Sequence, residues 1–232
     1  MNNRQSLISP RVIVQVLFFV VVIPFLPLLI SRRWAWWEAW VSAIICILGF
    51  AVSRALAARR HPDLLAERAR LMQHEDAKPW DKILAPLVGL GGGLIPLVAG
   101  LDALFKWSPT FSLPVKILAL VILLAGYALG SYALIENRFF SGMVRIQTDR
   151  GQQVVSSGPY GWMRHPGYAG ALWSYLATPL FLDSGWAFLP AMFLTIVLVI
   201  RTSLEDRVLQ DELPGYRDYT RRVRYCLLPG VW

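Results

Sequence analysis

The sequence predicts an all-α integral membrane protein: four transmembrane helices, a C-terminal helical hairpin and a cytoplasmic tail. Three observations predict it. The 232 residues are 56% hydrophobic and only 16% charged, where a soluble domain carries about 25% charged residues. Apolar runs long enough for a hydrocarbon core about 30 Å thick recur along the chain. Lys and Arg are distributed unevenly among the segments that join those runs, as the positive-inside rule requires.

The first run, 12–30, contains Pro24 and Pro27, which bend a membrane helix without forbidding it. Arg4 and Arg11 precede it as in a signal peptide, but the run is long and lacks a small-x-small cleavage pattern, so it reads as a retained helix. Ser31, Arg32 and Arg33 then turn the chain into Trp34, Trp36, Trp37 and Trp40, whose indoles mark a headgroup level. A second span follows over 36–57. The charged stretch from Arg54 to Lys82 is broken by Pro62 and Pro79, which bound a short interfacial helix. The third span, 83–104, holds Gly89 and the run Gly91-Gly92-Gly93, which permits close helix contact or local unwinding. Read as a nucleotide loop, that run lacks the following Lys-Ser/Thr. In the fourth span, 113–135, Gly126 and Gly130 are spaced as a small-xxx-small packing face. A polar, basic stretch over 137–164 leads to two shorter apolar runs joined by Asp183-Ser184-Gly185, a hairpin over 167–200. The chain therefore divides into a spanning part, 1–137, with a cytoplasmic segment at 54–82, and a C-terminal part, 138–232.

With the N-terminus inside, nineteen of the 23 Lys and Arg residues fall on the cytoplasmic side; Arg32, Arg33, Lys106 and Lys116 fall outside. Both termini are then cytoplasmic. The net charge of +8 is accounted for by that asymmetry and by anionic lipid, so nucleic acid is not an expected partner. Cys46 and Cys226 are far apart and form no CxxC pair, so neither a disulfide framework nor a metal site is expected.

The densest cluster of special residues is Ser157-Gly158-Pro159-Tyr160-Gly161-Trp162-Met163-Arg164-His165-Pro166-Gly167-Tyr168. Pro166 suits a first helical turn, and the free N–H groups behind it combine with Arg164 and His165 into a seat for a carboxylate or phosphate. The plainer reading sets Arg164 against lipid phosphate and His165 and Tyr168 at the boundary. Glu205 and Asp206 follow the last apolar run, and a tight hairpin returns them near Arg164 and His165, where they can bind an amine. The plainer reading pairs Arg201 with Glu205 across one turn. Tyr216, Tyr219, Arg221, Arg222 and Arg224 either cover a ligand or meet headgroups.

The segment GPYGWMRHPGY, the Glu205-Asp206 pair and the ending GYRDYTRRVRYCLLP resemble the isoprenylcysteine carboxyl methyltransferase family of membrane enzymes, to which phospholipid N-methyltransferases are related. HPDLLAER and KPWDK resemble bacterial members. The resemblance covers about 145–229 strongly. It implies S-adenosylmethionine as cofactor, held in a cytoplasm-facing pocket of the C-terminal region by Gly158, Pro159, Tyr160, Arg164, His165, Pro166, Tyr168, Glu205 and Asp206. The family commonly has Glu-Glu where this chain has Glu205-Asp206, which makes Asp206 the weaker assignment. Arg164 and Arg201 are the candidate catalytic residues. Arg138 and Arg145 share with Arg201 the alternatives of orienting an acidic acceptor or anchoring headgroups.

The implied reaction is methyl transfer to a lipophilic or membrane-associated acceptor, an isoprenylcysteine-like carboxylate among the candidates. A thiol or a phospholipid amine is the alternative acceptor. An NADPH-dependent membrane reductase and a non-enzymatic lipid-binding protein are the rival readings. The bacterial resemblance implies the inner membrane, with lipids and a lipophilic small molecule as partners and no obligate protein partner.

Overall fold

The computed structural model describes residues 17–69 and 76–232, and every regular element among them is helical. Residues 12–16 of the first apolar run, Arg4, Arg11 and Arg70 lie outside the described residues. A π-helical turn, Phe18–Val22, leads into α1 (Ile23–Ser31). Then follow α2 (Trp37–Arg60), α3 (Pro62–Ala69), α4 (Asp81–Gly91), α5 (Leu94–Phe105), α6 (Leu113–Glu136), α7 (Pro166–Phe181), α8 (Phe188–Glu212) and α9 (Tyr216–Arg222). The short helix expected after Pro62 is α3.

Four stretches are long and apolar enough to cross a membrane: Trp37–Arg60, Asp81–Phe105, Leu113–Glu136 and Phe188–Glu212. Their outward side chains are apolar, with Leu48, Val52, Leu118, Val121 and Ile196 all exposed. A water-facing helix bundle hides such residues, while a lipid-facing one displays them. The architecture is thus an all-α, multi-span membrane fold with further helices in its C-terminal part.

One of these four stretches, Phe188–Glu212, is the expected hairpin's second arm, while the described part of the first run, Val20–Ser31, is a shorter apolar helix. Two further elements differ in detail from the sequence reading. The third apolar run is two helices, α4 and α5, broken at Gly92-Gly93. A Cβ on Gly91 would lie 2.5 Å from Leu194 Cδ2, and one on Gly93 would lie 3.1 Å from Ile23 Cδ1. The glycines therefore serve both expected roles, unwinding the run and admitting neighbouring side chains. The second arm of the hairpin does not stop at 200. Residues 201–212 contain neither Pro nor Gly, so α8 runs unbroken to Glu212, before Pro214 and Gly215, the latter at φ +81°. Glu205 and Asp206 are consequently mid-helix residues, and α7, with 16 residues, is the short arm.

α6 and α7 form the closest crossing, through the expected glycine face. A Cβ on Gly170 would meet Gly126 O at 2.4 Å and Gly130 N at 2.8 Å. Only hydrogen fits there, so two backbones approach closely enough to fix α7 against the bundle.

The ends of α2, α6 and α8 and the starts of α4 and α7 gather at one end with α3, the 137–165 segment and α9. Several basic residues at this end pair within the protein: Arg60 with Glu136 at 2.7 Å, Arg138 with Asp63 at 3.0 Å and Lys78 with Glu212 at 2.6 Å. At the other end Lys116 bridges Glu38 and Asp183, each at 2.5 Å, tying α6 to α2 and to the hairpin turn.

Candidate functional site

The basic end contains an open pocket, part of it continuous with solvent. Every residue lining it falls between Asn137 and Tyr219, and Tyr160, Arg164, His165, Tyr168, Arg201 and Glu205 are among them.

Its floor is organised by Asp206. Arg164 donates to both oxygens of that carboxylate, Nε at 2.8 Å and Nη2 at 2.9 Å. His165 Nε2 lies 3.1 Å from Oδ1, Tyr216 donates its hydroxyl at 3.0 Å, and Gln210 donates to Oδ2 at 2.7 Å. Asp206 is saturated with donors. Arg164 is equally committed, since its Nη1 donates to the carbonyls of Val223 and Arg224. Backbone bonds from Arg164 N to Tyr225 O and from His165 N to Cys226 O continue the same join. The Arg164-His165 step thus clasps α8 and the C-terminal segment to the start of α7. Burial alone would lower the pKa of His165, but the Asp206 carboxylate and the Cys226 side chain outweigh it and raise it to about 10. His165 is therefore cationic and donates to Asp206.

Glu205 is placed differently. Its Oε2 accepts from Tyr168 OH at 2.5 Å, and no cationic side chain pairs with it among the described residues. One residue along α8, its carboxylate points to a different surrounding because successive helical residues are rotated by about 100°. It lines the pocket with one oxygen unengaged by protein.

Arg201, one turn earlier on α8, does not pair with Glu205. Its Nε donates to Asp81 Oδ1 at 2.6 Å, and its Nη2 donates to Asp81 Oδ2 at 2.9 Å and to Gly142 O at 2.8 Å. Asp81 is 0% exposed and also accepts from Val144 N at 2.6 Å, so it captures Arg201 in a better desolvated and hydrogen-bonded site than Glu205 offers. The Arg201 guanidinium lies 5.3 Å from the Tyr168 ring centroid. Arg201 Nη1 makes no hydrogen bond among the described residues, and the side chain lines the pocket.

The Gly158–Gly161 turn sets the aromatic wall. Gly158 adopts φ +56°, and a Cβ there would lie 3.0 Å from Tyr132 OH. Pro159 starts the 3₁₀ turn that buries Tyr160, whose hydroxyl donates to Ala133 O and accepts from Asn137 Nδ2. Tyr219 OH donates to Tyr160 O at 2.7 Å, and Tyr216 packs edge-on against Tyr219. Pro166 opens α7, and the Tyr168 ring lies parallel to His165 with centroids 5.8 Å apart.

Of the other arginines considered, Arg145 is surrounded by Glu67, Asp76 and Asp149 at 2.8, 2.9 and 2.8 Å, and those carboxylates raise its pKa against the opposing effect of burial. Arg138 pairs with Asp63. Arg221, Arg222 and Arg224 are exposed, while Tyr216 and Tyr219 are buried against the pocket. The principal residue missed by sequence reasoning is Asp81. Its signals were its place in the KPWDK stretch and at the first position of an apolar helix. Gln152 and Gln153, which also line the pocket, carried no signal.

An all-helical membrane protein with an aromatic, carboxylate-bearing pocket at one end of its bundle is the class that fold and site define. Residues 117–211 match the isoprenylcysteine carboxyl methyltransferase (ICMT) family, a match that ends inside α8, short of the C-terminal segment. A Delta(14)-sterol reductase of Mus musculus is 28% identical over 152 residues, 60% of this chain and 36% of the reductase. The Lamin-B receptor of Drosophila melanogaster is 28% identical over 101 residues, 42% of this chain and 14% of the receptor. An uncharacterised protein of Bacillus subtilis is 36% identical over 62 residues, 26% of this chain and 37% of that protein. The chain thus spans well under half the length of each of these relatives. Over these stretches the chain is similar to ICMT-related membrane methyltransferases and sterol reductases.

Proposed function

We propose that the chain is an S-adenosylmethionine-dependent methyltransferase acting on a lipophilic acceptor at the cytoplasmic membrane face. The observation that carries this reading is the unequal state of the two adjacent acids. Asp206 is consumed by Arg164, His165, Tyr216 and Gln210, whereas Glu205 faces the pocket with no cation of its own. A carboxylate in that position suits a cationic ligand.

S-Adenosylmethionine carries an ammonium, a sulfonium, a carboxylate and an adenosine, and the residues present suit each group. Glu205 takes the ammonium. The Tyr160, Tyr168, Tyr216 and Tyr219 side chains supply aromatic surface for adenine and for a cationic sulfur. Arg201 Nη1 and the Gln153 amide remain to donate to a carboxylate, of the cofactor or of an acidic acceptor. When bound, the cofactor supplies an electrophilic methyl group, so the protein's task is to hold, align and exclude water. Asp81 positions Arg201 for that task. Arg164, Asp206 and protonated His165 act as positioning residues that keep α8 and the tail around the pocket. Gly158, Pro159 and Pro166 shape the turn and helix start that carry the rings.

The reductase relative raises NADPH as the competing cofactor. That ligand brings a pyrophosphate and a further phosphate, which need uncommitted cations. The arginines that line the pocket, Arg145, Arg164 and Arg201, are each already held by a carboxylate, and Glu205 would repel the phosphates. Isothermal titration of the purified protein with each cofactor tests the choice. The proposal expects saturable S-adenosylmethionine binding that Glu205→Gln weakens; saturable NADPH binding without it would reverse the assignment.

A further inference from the structure

Two arginines near the basic end, Arg54 and Arg68, have no acidic partner among the described residues. Arg54 on α2 lies over the Phe50 ring at 4.2 Å and donates to Ser53 Oγ at 2.9 Å. Arg68 on α3 lies 5.4 Å from the Phe140 centroid and donates to Phe140 O at 3.2 Å. Neither makes a salt bridge among the described residues. Of the carboxylates at this end, Asp63 is held by Arg138 and Arg150, Glu67 by Arg145, Asp81 by Arg201 and Glu136 by Arg60.

The two charges also repel each other, and Arg68 feels Arg201 as well. Burial, with that repulsion, lowers the pKa of Arg68 from the ordinary arginine value. Arg54 precedes the end of α2 at Arg60 by six residues, about 9 Å along the helix axis at 1.5 Å per residue. A cation at such depth is costly unless it is paired or faces a polar cavity. Both side chains retain partial exposure. Phe140, against which Arg68 lies, lines the pocket.

We propose that Arg54 and Arg68 form an anion subsite, beside Phe140, that takes the carboxylate or phosphate head of an amphipathic acceptor. The word acceptor rests on the methyltransferase reading; the anion site does not. Two guanidiniums present donors to one head while its chain stays in the bilayer. The same chemistry has a second source, the headgroup of an ordinary anionic membrane phospholipid.

The experiment uses full-length protein in a neutral sugar detergent. Equilibrium dialysis measures labelled dodecyl phosphate and dodecanoate, with dodecanol as the neutral probe. The expected result is saturable binding of an anionic probe only, weakened about tenfold or more by R54Q and by R68Q, the loss set by a charged hydrogen bond. R221Q, at an exposed arginine, leaves binding unchanged. If R68Q does not fold, R54Q and the charge-retaining R68K carry the test, with R68K binding within a few-fold of wild type. Equal binding of dodecanol, or binding unaffected in R54Q, overturns the site. Displacement by phosphatidylglycerol at equal or lower concentration assigns it to bulk lipid and overturns the acceptor role. S-Adenosylmethionine titration of the same samples separates the two claims. Absence of cofactor binding with arginine-dependent probe binding defeats the methyltransferase reading alone; the converse defeats this subsite alone.

Discussion

Replacing Asp206 and Glu205 in turn separates a structural acid from a ligand-facing one. In Asp206→Asn the charge that compensates Arg164 and His165 is lost. The Arg164 and Asp206 side chains are 11% and 8% exposed, so solvent recovers little of that loss. Breaking a buried pair of this kind costs about 3–5 kcal/mol. Asparagine keeps one acceptor oxygen for five donor contacts, of which two come from Arg164 and one each from His165, Tyr216 and Gln210. In Glu205→Gln the only protein bond at stake among the described residues is that from Tyr168, and the amide oxygen can still accept it. Its stability cost is within about 1 kcal/mol. Its cost in cofactor affinity is a charged hydrogen bond, about 1.5–3 kcal/mol, or roughly ten- to 150-fold. Denaturation in mixed micelles, followed by tryptophan fluorescence, reads the first quantity; cofactor titration reads the second. The reasoning is refuted if Asp206→Asn unfolds with wild-type stability, or if Glu205→Gln binds cofactor as tightly as wild type.

Other substitutions test the remaining parts. The pKa of His165 rises from 6.5 to about 10 on folding. Its contribution is therefore complete below pH 6.5 and lost as pH climbs toward 10. Stability measured from pH 7 to 10 should decline, and His165→Asn should remove that part of the decline. Asp81→Asn leaves the buried Arg201 uncompensated and should destabilise by about 3–5 kcal/mol. Adding Arg201→Met should recover a large share, seen as a non-additive double-mutant cycle. Gly170→Ala drives a Cβ into backbone at 2.4 Å and should cost about 1–3 kcal/mol. Gly89→Ala meets nothing within 4 Å, so in mid-helix it should be neutral or stabilise by about 0.5–1 kcal/mol. Thermal unfolding of the two glycine variants side by side checks the contrast.

Much of the bundle was legible because its causes are local. Apolar length, the tryptophans near position 36 and the Gly126/Gly130 spacing act over a few residues. The return of Asp206 to Arg164 and His165 was legible from the hairpin, since a short turn leaves few ways for its arms to end. What sequence did not show was which carboxylate each arginine takes. Arg201 had Glu205 one turn away, yet bonds to Asp81, 120 positions distant in the chain. That choice depends on burial, which is a property of the assembled helices. The same limit hid the contrast between Glu205 and Asp206, because their neighbours come from α7, α9 and the tail. It also left loop arginines such as Arg138 and Arg145 open between an acidic acceptor and headgroups, when the structure gives them acidic partners from α3.

The most direct test of the central claim is transfer of labelled methyl from S-adenosylmethionine into a panel of membrane lipids and small lipophilic thiols and acids, by the full-length protein in proteoliposomes, with mass identification of the product. The account predicts a single class of methylated lipophile, formed by wild type and sharply reduced in Glu205→Gln despite its retained fold. No methylated product, together with saturable NADPH binding and reduction of a lipophilic substrate, would contradict it.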